Sequence, residues 1–308
     1  MKRLIPYLAV VTAMLIWAGA GIAVKEALVV FSPLTLIVLR FTLAVLLMLV
    51  VGLIFRRNDI LGLQPVAKRD IPLFLLGGLF QPFLYFIFET YTYQSFASPT
   101  IAEAMLSTQP VLAPIFAFLL LRERVTRNNI LGIILSTIGM LLLLLVGSDD
   151  FSLGSPWGIL LAIVTVSMSV SYSVILRRIP TRYSSLSIVF YVQSFSLVLF
   201  YVVWMLMGEA SAIMNNSTLL LHHPTQLLHS SFAVLYLAIF ASVAAFVLFC
   251  YTVRKIGVTR ANVFNNIRPV FTAMLMWLIF DEVLPIWKLI GIVIIIIGLF
   301  ISQKVGKR

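Results

Sequence analysis

Charge is scarce in this chain. Only 11% of its 308 residues are charged and 61% are hydrophobic, whereas a soluble domain carries roughly a quarter charged residues. That shortage excludes an ordinary water-exposed globule. Cysteine is nearly absent: Cys250 is the only one, so no internal disulfide forms. Histidine is confined to His222, His223 and His229, all in one polar segment. No histidine lies in an apolar run, which excludes an intramembrane hydrolase built on one. A zinc site in that segment is the only metal reading the three allow. Gly-x-Ser-x-Gly, His-Glu-x-x-His and a phosphate-cradling glycine loop are all missing, so no enzyme and no cofactor is expected.

Long apolar runs stand in place of these features. Ten occur, at about 4–24, 33–55, 71–92, 99–121, 129–147, 156–176, 185–207, 231–253, 261–280 and 284–302. Each approaches the roughly 20 residues that cross a bilayer about 30 Å thick. The net charge of +11 calls for no nucleic-acid partner, because topology explains it. Eighteen of the 22 Lys and Arg residues fall in gaps on the side of the N-terminus, and only Lys25 and Lys288 fall opposite. Arg40 and Arg268 lie within runs. The positive-inside rule then puts both termini in the cytoplasm. The start resembles a signal peptide but reads as an uncleaved first span, because its flank fits the charge pattern of the other nine. The sequons in Asn215-Asn216-Ser217-Thr218 are of a kind that short polar loops produce by chance.

The runs repeat. Adding 159 aligns Thr100 to Leu141 with Thr259 to Phe300 without a gap. Pro110 falls on Pro269, Glu123 on Glu282, Gly132 on Gly291 and Gly139 on Gly298, while Glu103 and Ser107 fall on Asn262 and Asn266. An odd number of spans separates the copies, so the second is upside down relative to the first. The expected fold is an all-α membrane protein of ten transmembrane helices in two inverted five-helix repeats, 1–148 and 149–308. Spans 5 and 10 are apolar all round. Their glycines, spaced by seven, put Gly132/Gly139 and Gly291/Gly298 on single faces that admit a close neighbour. They are expected at the periphery, as struts or as the contact of a weak homodimer of an otherwise monomeric protein.

The order Trp17-Ala18-Gly19, Lys25, Ser32-Pro33, Leu39-Arg40-Phe41, Gln109-Pro110-Val111, Leu121-Arg122-Glu123, Gly132, Gly139 resembles the EamA-type members of the drug/metabolite transporter superfamily. The second half repeats it as Arg268-Pro269-Val270, Asp281-Glu282, Gly291, Gly298. The resemblance covers essentially the whole chain. It implies two inverted five-helix repeats, carriage of small metabolites such as amino acids, and a place in the bacterial inner membrane. The chain departs from the pattern at Arg268, where many members have an acidic or neutral residue.

Four charges lie well inside spans: Arg40, Glu89, Glu103 and Arg268. Each costs at least about 2.5–3.5 kcal/mol to insert. Arg40 shares the outer half with Glu89 and Glu103, which reads either as a structural ion pair or as a proton or substrate switch. Arg268 lies near the midplane, where its planar fork suits a carboxylate or phosphate, or else bonds carbonyls and water. Polar stripes accompany these charges. Glu103, Ser107, Pro110 and Pro114 share a face of span 4, matched in span 9 by Asn262, Asn266 and Pro269. Gln81, Tyr85 and Glu89 follow on span 3, Ser167, Ser169, Ser171 and Tyr172 on span 6, and Tyr191 and Gln193 on span 7. Each reads as cavity lining or as glue between helices. Trp17, mid-span, reads as a cavity wall or as packing.

These readings converge on a secondary transporter, not an enzyme, moving a small polar metabolite by alternating access. A flippase for lipid-linked sugars or lipids is the alternative. The expected substrate-binding set is Trp17, Gln81, Tyr85, Ser107, Tyr172, Gln193, Asn262, Asn266 and Arg268, with Arg40, Glu89 and Glu103 as a charge network. The partners are a small molecule and the lipid bilayer.

Overall fold

The computed structural model describes residues 4–55, 62–95, 105–106, 108–145, 156–209, 224–280 and 286–303. The regular structure among them is helical throughout. In chain order the α-helices are α1 (Ile5–Ala27), α2 (Pro33–Ile54), α3 (Ile71–Gly78), α4 (Tyr85–Ser95), α5 (Gln109–Leu121), α6 (Arg127–Leu145), α7 (Pro156–Arg178), α8 (Ser185–Leu206), α9 (Pro224–Tyr236), α10 (Ala245–Ile256), α11 (Val258–Val263), α12 (Arg268–Phe280) and α13 (Ile286–Gln303). Seven stretches of helix are long and apolar enough to cross a membrane, and Gln109–Leu121 and Arg127–Leu142 are apolar but shorter.

Helix starts follow local chemistry. Ser32 accepts a hydrogen bond from the Thr35 N–H and Pro33 follows it at the first helical position. Ser184 does the same for the Ser187 N–H at the start of α8. Both hydroxyls satisfy amides that the helix leaves without partners. Two spans are interrupted. Between α3 and α4 the backbone widens into a π-helical stretch, Leu79–Leu84, where Gln81 is extended and Pro82 lacks an N–H. Between α9 and α10 a second π-helical stretch runs from Leu237 to Ala244. A third break separates α11 from α12, as the 3₁₀ turn Phe264–Ile267.

Packing joins one half of the chain to the other. Helix α1 lies against α9, α10 and α12, α2 against α8, and α4 and α5 against α7. The tightest pair is α6 with α13. A methyl group on Gly132 would fall 2.5 Å from the Gly298 carbonyl oxygen, and one on Gly139 would fall 2.7 Å from that of Gly291. Asn129 donates to the Ser302 carbonyl at 2.6 Å beside this seam. The glycine faces, expected as struts or as a homodimer contact, are therefore filled by each other within one chain. The reason is steric: two glycine stripes in register allow a backbone approach that no bulkier face matches.

Gly139→Leu forces α6 and α13 apart and is expected to lower stability by about 1–3 kcal/mol or more. Gly21→Ala is the control, since a Cβ there meets nothing within 4 Å. Thermal melting in detergent checks both. Equal midpoints for the two variants would contradict the packing.

Candidate functional site

The buried polar groups gather where spans lose their regular turn. A π-helical turn shifts carbonyls out of the usual ladder, and side chains from neighbouring helices reach them. The Trp17 indole N–H donates to the Ala241 carbonyl at 3.1 Å. The Gln193 amide donates to the Ser242 carbonyl at 2.6 Å. The Ser196 hydroxyl donates to the Gly78 carbonyl at 2.8 Å, next to the other π-helical stretch. Lipid offers no substitute partner, so these bonds fix how the helices dock.

Arg40 is buried and its Nε donates to the Ser242 hydroxyl at 3.1 Å. Its guanidinium lies 5.0 Å from the Phe41 ring centre and 4.7 Å from that of Phe86. Rings of this kind attract a desolvated cation. The charge of Glu89 also acts on it, and Glu89 accepts a hydrogen bond from the Tyr85 hydroxyl at 2.8 Å. Ser242 thus bonds Arg40 with its side chain and Gln193 with its backbone. Trp17 packs on Phe246 and Phe249 at 5.3 and 5.4 Å, and Tyr172 approaches Phe246 at 6.3 Å. Among the described residues the Tyr172 hydroxyl and the Gln193 carbonyl oxygen, both buried, have no hydrogen-bond partner. On the facing side Ser169 donates to Gln81 at 3.1 Å.

Trp17, Arg40, Tyr172 and Gln193, singled out from sequence, therefore converge on residues 241–249. Gln81, Tyr85 and Glu89 belong to the other interrupted span, and Glu89 links the two groups through Arg40. The stripe expected along span 9 is interrupted by the 3₁₀ turn Phe264–Ile267, which lies between Asn262 and Pro269. Asn262 donates to Val258 in its own helix at 2.9 Å, and Asn266 donates to Ser136 on α6 at 2.8 Å. Arg268 opens α12, half-buried, and its carbonyl accepts from Thr272. Glu103, Ser107, His222 and His223 lie outside the described residues. Among the described residues no cluster of three His, Cys, Asp or Glu side chains could hold a metal.

The basic end of the bundle is sealed by charge-assisted bonds that sequence reasoning missed. The Glu123 carboxylate accepts from the Val258 N–H at 3.2 Å and the Thr259 N–H at 3.4 Å, and it faces Arg177 at 4.0 Å. Gly257 turns the chain there at φ +92°, and a Cβ on it would fall 3.1 Å from the same carboxylate. Arg254 donates to the Tyr183 and Pro180 carbonyls at 2.7 and 2.9 Å. Asp70 accepts from the Tyr183 hydroxyl at 2.7 Å and pairs with Arg182. Only the identical Glu123 and Glu282 hinted at a special role. Ser242 carried no signal, being one small residue in an apolar run.

A multi-span helical protein whose polar interior gathers at broken helices has the build of a transport protein. The chain belongs to the EamA-like transporter family, whose model matches residues 4–145 and 156–303. It is 27% identical over 310 residues to the uncharacterized transporter YetK of Bacillus subtilis, covering 100% of this chain and 89% of that protein. It is 24% identical to the uncharacterized transporter YcxC of the same organism, over 98% and 95% of the two chains. An uncharacterized transporter of Archaeoglobus fulgidus is 22% identical over 94% and 95%. A crystal structure of another protein shares the fold with a TM-score of 0.75 and 20% identity, over 97% of this chain and 96% of that one. The protein is thus a multi-pass membrane transporter and not an enzyme.

If Arg40 and Glu89 stabilise one another, Arg40→Gln leaves the half-buried Glu89 without its cation and is expected to lower stability by less than the roughly 3–5 kcal/mol that breaking a fully buried pair costs. Arg40→Gln combined with Glu89→Gln is then expected to recover part of the loss. Melting of the two single variants and the double variant measures the coupling. Strict additivity would show that the charges do not meet.

Proposed function

We propose that the protein is a secondary transporter that carries a small polar metabolite, an amino acid or another anionic or zwitterionic solute, by alternating access. The observation that carries this reading is the convergence of Trp17, Arg40, Tyr172 and Gln193 on the broken span at 241–249, inside a member of a transporter family. A cation held by rings and a hydroxyl is poised to meet an anionic group. Residues at a helix break reorient when the flanking segments rock. Gln81, Tyr85, Glu89 and Arg268 complete the proposed pathway, with Glu103 and Ser107 assigned to it from sequence.

Ten spans in two inverted repeats, 1–148 and 149–308, supply the moving parts in this reading. Several correspondences support it. Ser32 and Ser184 cap α2 and α8. The π-helical stretches at Leu79–Leu84 and Leu237–Ala244 interrupt equivalent spans. Helices α6 and α13 meet through equivalent glycines. The family model matches twice, once in each half. The reading places the protein in the bacterial cytoplasmic membrane with both termini inside.

Topology is checked with single cysteines in a Cys250→Ser chain. Gln226→Cys is expected to react with an impermeant thiol reagent in sealed cells, and Thr181→Cys only after permeabilisation. Both parent side chains are exposed. Labelling of Thr181→Cys from outside would overturn the orientation.

Uptake of amino acids, organic acids and sugar phosphates into proteoliposomes identifies the substrate. With it in hand, Arg268→Gln is expected to weaken binding about 10- to 150-fold, the worth of a hydrogen bond to a charged group at about 1.5–3 kcal/mol. Arg268→Lys recovers only part, because the planar fork is lost. An analogue lacking the anionic group loses nothing further. Equal weakening of both compounds would show that Arg268 shapes the path without reading charge. Lipid scrambling without solute uptake would favour the flippase.

A further inference from the structure

The glycine seam has a consequence on the outside of the bundle. Because α6 packs on α13, it stands away from α5, its neighbour in sequence, and the two share few contacts. A groove of about 440 Å³ is left between them. Val111, Ile115, Phe118 and Leu119 line one wall at helical spacing, and Ile130 and Ile134 line the other. All six are exposed. Its volume falls within the roughly 300–1,000 Å³ typical of ligand sites. From Val111 to Phe118 the α5 wall rises through seven residue steps, about 10 Å at helical rise.

One end of this groove is basic. The turn from α5 to α6 closes it with Val125 and carries Arg122, Arg124 and Arg127, all exposed. None of the three guanidinium groups has a hydrogen bond or ion pair among the described residues. Their neighbours differ: Arg177, Arg178, Arg182 and Arg254 each donate to a carbonyl or a carboxylate of the protein. The acid of the same turn, Glu123, is turned away toward the Val258 and Thr259 amides and Arg177. Arg122 itself sits at φ 55° as the left-handed cap that ends α5, which projects the turn away from the helix axis.

We propose that this groove is a binding site for an anionic phospholipid, with an acyl chain between α5 and α6 and the phosphate on Arg122, Arg124 and Arg127. An aliphatic slot ending in three uncompensated cations complements a molecule that joins a hydrocarbon tail to a phosphate. Basic pockets between helices at a membrane surface recognise anionic headgroups in this way. The site is separate from the transport pathway and does not depend on what the protein carries. It also rests on α5, whose interior Pro114 makes bending easy. A lipid wedged there would bias the tilt of α5 against the α6–α13 pair.

The test is lipid binding to the full chain in detergent, followed by native mass spectrometry. Phosphatidylglycerol is compared with phosphatidylcholine of identical acyl chains. The wild type is expected to prefer phosphatidylglycerol, at about 5-fold per arginine and about 100-fold in all. Arg122→Asn with Arg124→Gln and Arg127→Gln is expected to erase that preference while keeping the weak binding of phosphatidylcholine. Asn is chosen at 122 because it tolerates the left-handed conformation. Ile134→Trp fills the slot and is expected to reduce binding of both lipids. High salt is expected to weaken the preference in the wild type, which needs no variant to fold. A wild type without preference, or a triple variant that keeps it, overturns the proposal. So does full competition by soluble glycerol phosphate, which would mean that the arginines bind phosphate without the groove.

Discussion

Hydrocarbon supplies no hydrogen bonds, so every polar group inside this bundle must find its partner within the protein. The interior is organised around that constraint. At the two π-helical stretches, carbonyls in or beside the widened turn accept hydrogen bonds from other helices. Trp17 and Gln193 answer residues 241 and 242, and Ser196 answers Gly78. Two of the breaks are thus also points where neighbouring helices are tied together. These ties are single neutral hydrogen bonds, worth about 0.5–1.5 kcal/mol each, so they locate a helix without freezing it.

Charge is treated differently at different depths. Arg40 is held in the apolar interior by two rings, one hydroxyl and the field of Glu89. At the basic end the ions are spent on backbone. Glu123 caps the start of α11, and Arg177, Arg178 and Arg254 cover carbonyls at the ends of neighbouring segments. Charged partners make stronger hydrogen bonds than neutral ones, and Glu123, which follows α5 directly, ties the end of α5 to the head of α11.

The two glycine helices form a third kind of contact, in which close backbone approach is joined by the Asn129 hydrogen bond to the Ser302 carbonyl. Close approach gains dispersion over a long seam, and the Asn266–Ser136 hydrogen bond ties the pair to the buried polar groups. That arrangement leaves a rigid strut beside the bundle and opens the groove on α5.

The sequence alone determined the membrane character, the transporter family and a few of the buried polar residues, Arg40, Gln81, Ser169, Gln193, Asn262 and Asn266 among them. These follow from composition, from the length of apolar runs and from residues too costly to bury without use. Trp17, Arg40, Tyr172 and Gln193 were legible for that reason. Their meeting point was not. Ser242 is one serine in an apolar run, and the widened turn that presents it arises from packing, not from local propensity. The 3₁₀ turn inside span 9 is invisible in a period count, and only the folded chain shows Asn266 bonded to Ser136 on α6. The glycine faces were visible, but two stripes that fit any flat neighbour do not name the neighbour. Only the folded chain put Gly132 against Gly298, because sequence spacing fixes which residues share a face, while the identity of the opposing face depends on where every other helix has already packed.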